Sequence, residues 1–152
     1  MAKTRRLLII GPSFRRNKTN RLVPAFERYD GLFFRVTKNY TDFVKDIDIA
    51  VMLDDLTLVD GITPIPYSEP EGVNWGSKSI SKKMVENAKI TNDAYMRNKL
   101  NCKKYSQVFI AMGKEYANAL PDFTDYQIKI IFPTSGGPGP KAAALKEWLR
   151  AN

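Results

Sequence analysis

The chain has 152 residues, 43% hydrophobic and 26% charged, a length for one α/β-sized domain (1–152) and a composition that excludes a disordered tail or a coiled coil. No apolar run reaches the roughly 20 residues of a membrane span, and Leu7-Leu8-Ile9-Ile10 is too short for a signal-peptide core, so a soluble, cytoplasmic protein that keeps off membranes is expected. There is no histidine and one cysteine, Cys102, which removes histidine triads, histidine general bases and nearly every catalytic zinc site; neither a metal nor a cofactor is expected.

Short apolar runs alternate with helical patterns, the signature of an open α/β sheet. In chain order, strands are predicted at Arg6 to Ile10, Leu32 to Val36, Ile47 to Leu53, Gln107 to Ala111 and Gln127 to Phe132. All are apolar on both faces or nearly so, as strands of a mostly parallel five-stranded sheet flanked by helices must be. Helices are predicted at Leu22 to Tyr29, where Pro24 fits only the first turn, and at Tyr40 to Asp46, Lys78 to about Leu100, Lys114 to Leu120 and Lys141 to Leu149. The last follows Pro140 and carries an apolar stripe of Ala142, Leu145, Trp148 and Leu149, which gives Trp148 a packing role. The proline-stiffened stretch Asp54 to Ser77, with Pro64, Pro66 and Pro70, is expected to be an ordered loop.

The charge is uneven. Of the net +8, all lies in residues 1–40, where ten basic residues face only Glu27 and Asp30. Residues 41–76 carry one lysine against eight acids, and 77–120 carry nine bases against three. Such a molecule has poles, and a basic pole attracts polyanions, nucleic acid foremost.

Ligands of open α/β sheets sit beyond the carboxyl ends of the strands. Four segments are expected on that rim: Gly11-Pro12-Ser13-Phe14-Arg15-Arg16-Asn17-Lys18, Asp54-Asp55, Met112-Gly113-Lys114, and the loop containing Ser135-Gly136-Gly137. In the first, Arg15, Arg16 and Lys18, with Arg21 and Lys114, suit phosphates while Phe14 stacks on a base. The competing reading keeps Phe14 in the core and the cations as a solvated edge. The glycines of the fifth loop can offer amides to a phosphate, without the spacing of a Walker loop. Asp54 and Asp55 are the acid–base candidates, and only one of two adjacent side chains on extended backbone faces the site; alternatively one caps the following turn and the other is solvated. Tyr67, behind Pro66, can present its ring or its hydroxyl, and Trp75 is a lid contact or buried mass.

Four segments together resemble the YaaA superfamily of bacterial peroxide-stress proteins and their smaller relatives: Ile9 to Arg16, Leu22 to Val36 with its Pro24-Ala25-x-x-Arg28-Tyr29-Asp30-Gly31 core, Val51-Met52-Leu53 through Leu58 to Ile65-Pro66-Tyr67, and Phe109 to Tyr116. The resemblance implies a compact α/β domain with a positive, DNA-binding cleft. The sequence departs from the family where Asp54-Asp55-Leu56-Thr57-Leu58 replaces a Ser-Ala-Lys-Tyr-Gly or Ser-Gly-x-Tyr-Gly stretch, and no cysteine occupies the first loop.

The function expected is a DNA-binding protein acting on a base, with glycosylase-like hydrolysis of an N-glycosidic bond by Asp54 or Asp55 and a base flipped from a duplex into the rim. Two alternatives stand beside it: a non-catalytic or inhibitory DNA-binding module, and a nucleotide- or nucleotide-sugar-binding domain using the glycine-rich loop.

Overall fold

The computed structural model describes residues 5–40, 45–70, 80–102, 105–124, 126–133 and 136–151. The elements are β1 (Arg5–Ile10), β2 (Val23–Pro24), α1 (Ala25–Arg28), α2 (Leu32–Lys38), β3 (Ile47–Met52), β4 (Leu58–Asp60), β5 (Pro64–Ile65), α3 (Lys82–Cys102), β6 (Tyr105–Ala111), α4 (Lys114–Ala117), β7 (Lys129–Ile131) and α5 (Pro138–Arg150). Five strands form one sheet in the order β4-β3-β1-β6-β7, and β2 pairs with β5 in a small antiparallel ribbon.

Alternation along the central strand explains why helices cover both faces. Leu7 and Ile9 point into one core with Ala88 and Met96 of α3, while Leu8 and Ile10 point into the other with Ala25, Phe34, Leu145 and Trp148. All four of these apolar side chains are fully buried, and each such burial contributes about 1.5–3 kcal/mol. In α5, Pro138 takes the first helical position and Ala142, Leu145, Trp148 and Leu149 form the buried stripe. The Trp148 indole packs on Phe109 and donates to Gln107 Oε1 at 2.7 Å.

Two expectations are corrected. The sheet is mixed: β1, β3, β6 and β7 are parallel, but β4 runs antiparallel to β3 within the stretch expected to be loop. The reversal at 53–57 places Leu56, fully buried, at φ 71°. Asp54-Asp55 is a turn signal, but left-handed backbone is normally flagged by glycine or asparagine and Leu56 is neither. The segment Leu32 to Val36 is helix α2, not a strand. It opens after Gly31 and its Phe34 and Thr37 face is buried; a five-residue apolar run does not separate the two periods.

Smaller differences are at element ends. The helix expected from Leu22 contracts to α1, because Val23 and Pro24 join the ribbon with β5. Of the helix expected over Tyr40 to Asp46, residues 41–44 lie outside the described residues, and Tyr40, Lys45 and Asp46 are not helical.

Candidate functional site

Because β1, β3, β6 and β7 are parallel, the segments that leave them emerge at one edge of the sheet. Two of them touch: Gly11 N–H donates to Ala111 O at 3.0 Å, and a Cβ on Gly11 would lie 2.7 Å from that of Met112. The first loop also folds onto the start of α2. A Cβ on Gly31 would lie 2.5 Å from Ser13 Cβ, and the Gly31 N–H donates to Ser13 Oγ, which itself donates to Arg15 O. Glycine is thus required at both positions by close approach.

The centre of the rim is Arg16. Its side chain is 2% exposed and grips Asp54 through two bonds, Nη1 to Oδ2 at 2.6 Å and Nη2 to Oδ1 at 2.9 Å. It also donates to Ser68 O and Ser13 O, and stacks over the Tyr29 ring at 4.9 Å. Ser68 Oγ donates to Asp54 Oδ2 at 3.2 Å. One residue therefore ties the loop after β1 to the turn after β3 and to the chain beyond β5. Burial, and then the charge of Asp54, push the phenols of Tyr29 and Tyr116 above their ordinary range, so neither ionises near neutrality. Asp55 turns the other way: it is exposed, and its Oδ1 accepts from the N–H and hydroxyl of Thr57. Of the adjacent pair, only Asp54 joins the rim.

A second buried arginine shapes the basic loop. Arg28 is 1% exposed, and among the described residues no carboxylate lies within ion-pair reach of it. Its guanidinium donates instead to the carbonyls of Asn17, Thr19, Arg21 and Ile65 at 2.7–3.1 Å. With the Asn17 N–H on Arg28 O and the Asp30 N–H on Arg15 O, residues 15–21 are pinned from inside. Arg15, Lys18 and Arg21 are left exposed, with no ion pair among the described residues.

Beside this loop lies a cavity of about 400 Å³ lined by Phe14, Arg15, Arg16, Lys18, Tyr67, Glu69 and Pro70. Phe14 is 59% exposed, not in the core. Tyr67 presents its ring next to Arg28 at 5.7 Å, and its hydroxyl is buried with no hydrogen-bond partner among the described residues. Pro12 is half-buried.

The other named residues stand outside this cavity. Gly113 caps the four-residue α4, and Lys114 is exposed on it. Gly136, at φ 80°, and Gly137 precede α5, whose first turn contains Pro138 and Pro140; two of its leading positions thus have no N–H to offer an anion. Ser135 and Trp75 lie outside the described residues. Sequence reasoning missed Arg28, Tyr29, Ser68 and Glu69. For Arg28 and Tyr29 a signal existed, since both stand in the Pro24-Ala25-x-x-Arg28-Tyr29-Asp30-Gly31 segment that carries the resemblance.

Among the described residues no helix is long and apolar enough to cross a membrane. Comparison with protein-family models, with curated proteins and with solved structures finds no match for the chain.

Proposed function

We propose that the rim binds a nucleic-acid strand, DNA in the first instance, with one unstacked base seated in the cavity between Phe14 and Tyr67 and the backbone phosphates along Arg15, Lys18 and Arg21. The observation that carries this reading is the fixed outward presentation of those three cations beside an aromatic cavity. Its volume is within the about 300–1,000 Å³ usual for ligand sites. Aromatic stacking is worth about 1–3 kcal/mol per base and tolerates any sequence, whereas the cations supply the salt-sensitive part.

Base release by glycosylase-like hydrolysis is the second reading, favoured by the position of Asp54 directly behind Arg16. Both its oxygens are engaged by Arg16 and Ser68, so its part there is to hold Arg16 in place at the rim rather than to act as a base toward water.

The test is fluorescence anisotropy on a single strand and on a duplex with one unpaired base, across a salt series. Replacing Arg15, Lys18 and Arg21 together by glutamine is expected to flatten the log–log slope on the single strand by about 2. An unchanged slope overturns the binding reading. Incubation with modified duplexes and mass analysis of free bases tests the second: release that disappears in Asp54→Asn while the strand stays bound supports it, and no release from any duplex removes it.

A further inference from the structure

We infer that the rim cavity selects guanine and that Glu69 is the residue that reads it; the inference rests on the base-binding reading above. Among its lining residues are three cations, Arg15, Arg16 and Lys18, and one acid. A carboxylate repels phosphate, so it sets this part of the cavity apart from the cations that suit the backbone. Among the described residues Glu69 makes no ion pair, and it is exposed. An exposed two-oxygen acceptor on the wall of an aromatic cavity is placed to take N–H donors from a seated base.

The four bases differ sharply in what they offer two acceptor oxygens. Guanine alone presents two adjacent donors on its pairing edge, N1–H and the N2 amine, which match a carboxylate in a fork of two charge-assisted bonds. Cytosine and adenine each set one amine next to a ring-nitrogen lone pair, and thymine sets one imino N–H between two carbonyls. Each of these gives a carboxylate one good bond and one repulsive contact. The pairing edge must be free, so the guanine is in a single strand, a loop or a flipped-out position. Tyr67 serves as a positioning residue: its ring is braced over the buried Arg28 guanidinium and lines the same cavity as Glu69.

The experiment is anisotropy with labelled thymidine strands of about twelve nucleotides carrying one central guanine, adenine, cytosine or hypoxanthine. The guanine strand is expected to bind about tenfold tighter than the adenine and cytosine strands. Hypoxanthine, which keeps N1–H but lacks the amine, falls between. Glu69→Gln removes the preference and tightens binding to the all-thymidine strand by removing a like charge from the phosphate path. Glu69 is exposed, so the variant is expected to fold as the parent does, which circular dichroism checks. Equal affinity for guanine and adenine strands, or a preference that survives Glu69→Gln, overturns guanine selection while leaving base binding in place. Failure of every strand to bind overturns both.

Discussion

The two ends of β1 treat positive charge in opposite ways. At its start, Arg5 pairs with Asp48 at 2.7 Å and Arg6 with Asp46 at 2.9 Å, and the buried Arg6 also donates to Trp148 O and lies over the Trp148 ring. Lys99 and Tyr95 share Asp60 in the same region. Beyond its other end, Arg16 has Asp54, but Arg28 is surrounded by carbonyls, and Arg15, Lys18 and Arg21 face outward. Carbonyl dipoles hold a guanidinium without cancelling its charge; carboxylates do both. The difference teaches that a segment's net charge is not its available charge. Arg5, Arg6, Arg16, Arg35 and Lys38, half of the ten bases in residues 1–40, stand opposite carboxylates in the fold. Of the other five, Arg15, Lys18, Arg21 and Arg28 belong to the loop after β1 or hold it from inside.

Removing the carboxylate that links the rim breaks this arrangement most severely. Asp54→Ala strands a guanidinium that is 2% exposed, and orphaning one member of such a pair costs about 3–5 kcal/mol, at the lower end here because Asp54 itself reaches solvent. Urea denaturation measures it. A loss below the scatter of surface substitutions would mean that Arg16 swings out to water and that the rim is not tied through it. Arg28→Met follows at about 2 kcal/mol: four carbonyls lose a charged donor, partly offset because a buried, uncompensated charge disappears as well. Its sharper signature is on ligand binding, since the inner pin of residues 15–21 goes with it and strand affinity falls although Arg28 touches no phosphate.

The same contrast explains what was legible in the sequence. Leu7 to Ile10 and Val108 to Ala111 are apolar at every position, and a strand buried on both faces is the one pattern that requires this. The proline and four-residue stripe of α5 are equally explicit. Legibility ended where partners at long sequence distance decide. Leu56 enters the left-handed region because Asn92, 36 residues away, donates to its carbonyl and accepts from the Leu58 N–H, and nothing local announces it. Arg16 and Asp54 were each visible as rim residues, yet their mutual grip spans 38 residues. A charge run looks alike whether its members are paired or free.

Single neutralisations sharpen the comparison at a smaller scale. Lys18→Gln is expected to lower the salt dependence of single-strand binding by about 0.7 in log–log slope, one phosphate's worth. Arg35→Gln, which removes the same formal charge from an exposed residue already paired with Asp30 at 2.9 Å, is expected to leave that slope unchanged. Equal effects from the two would show that overall charge, and not its placement, governs binding.

The smallest effects separate the ends by pH. Asp46 is held below its ordinary 3.8 by hydrogen bonds from Arg6, and Asp30 by those from Arg35. A carboxyl depressed in the folded state contributes stability that is present above its unfolded value and is lost as pH falls through the lower folded one. The relevant window therefore opens near pH 4 and extends downward. Within it, Asp46→Asn is expected to flatten the acid limb of a denaturation-midpoint profile visibly, because its partner Arg6 is 6% exposed and poorly screened. Asp30→Asn is expected to change the limb little, because Arg35 is 49% exposed and water screens the pair. The alkaline limb has the opposite sign. Burial raises Tyr29 at the rim, and Tyr95 and Tyr105 at the far end, above their ordinary 10.0, so the stability they lend is complete below pH 10 and fades above it. Tyr105→Phe removes a donor to Asp48 at 2.7 Å and is expected to shift that limb upward in pH; if the limb stays where it was, the far-end cluster is not what limits the fold in base.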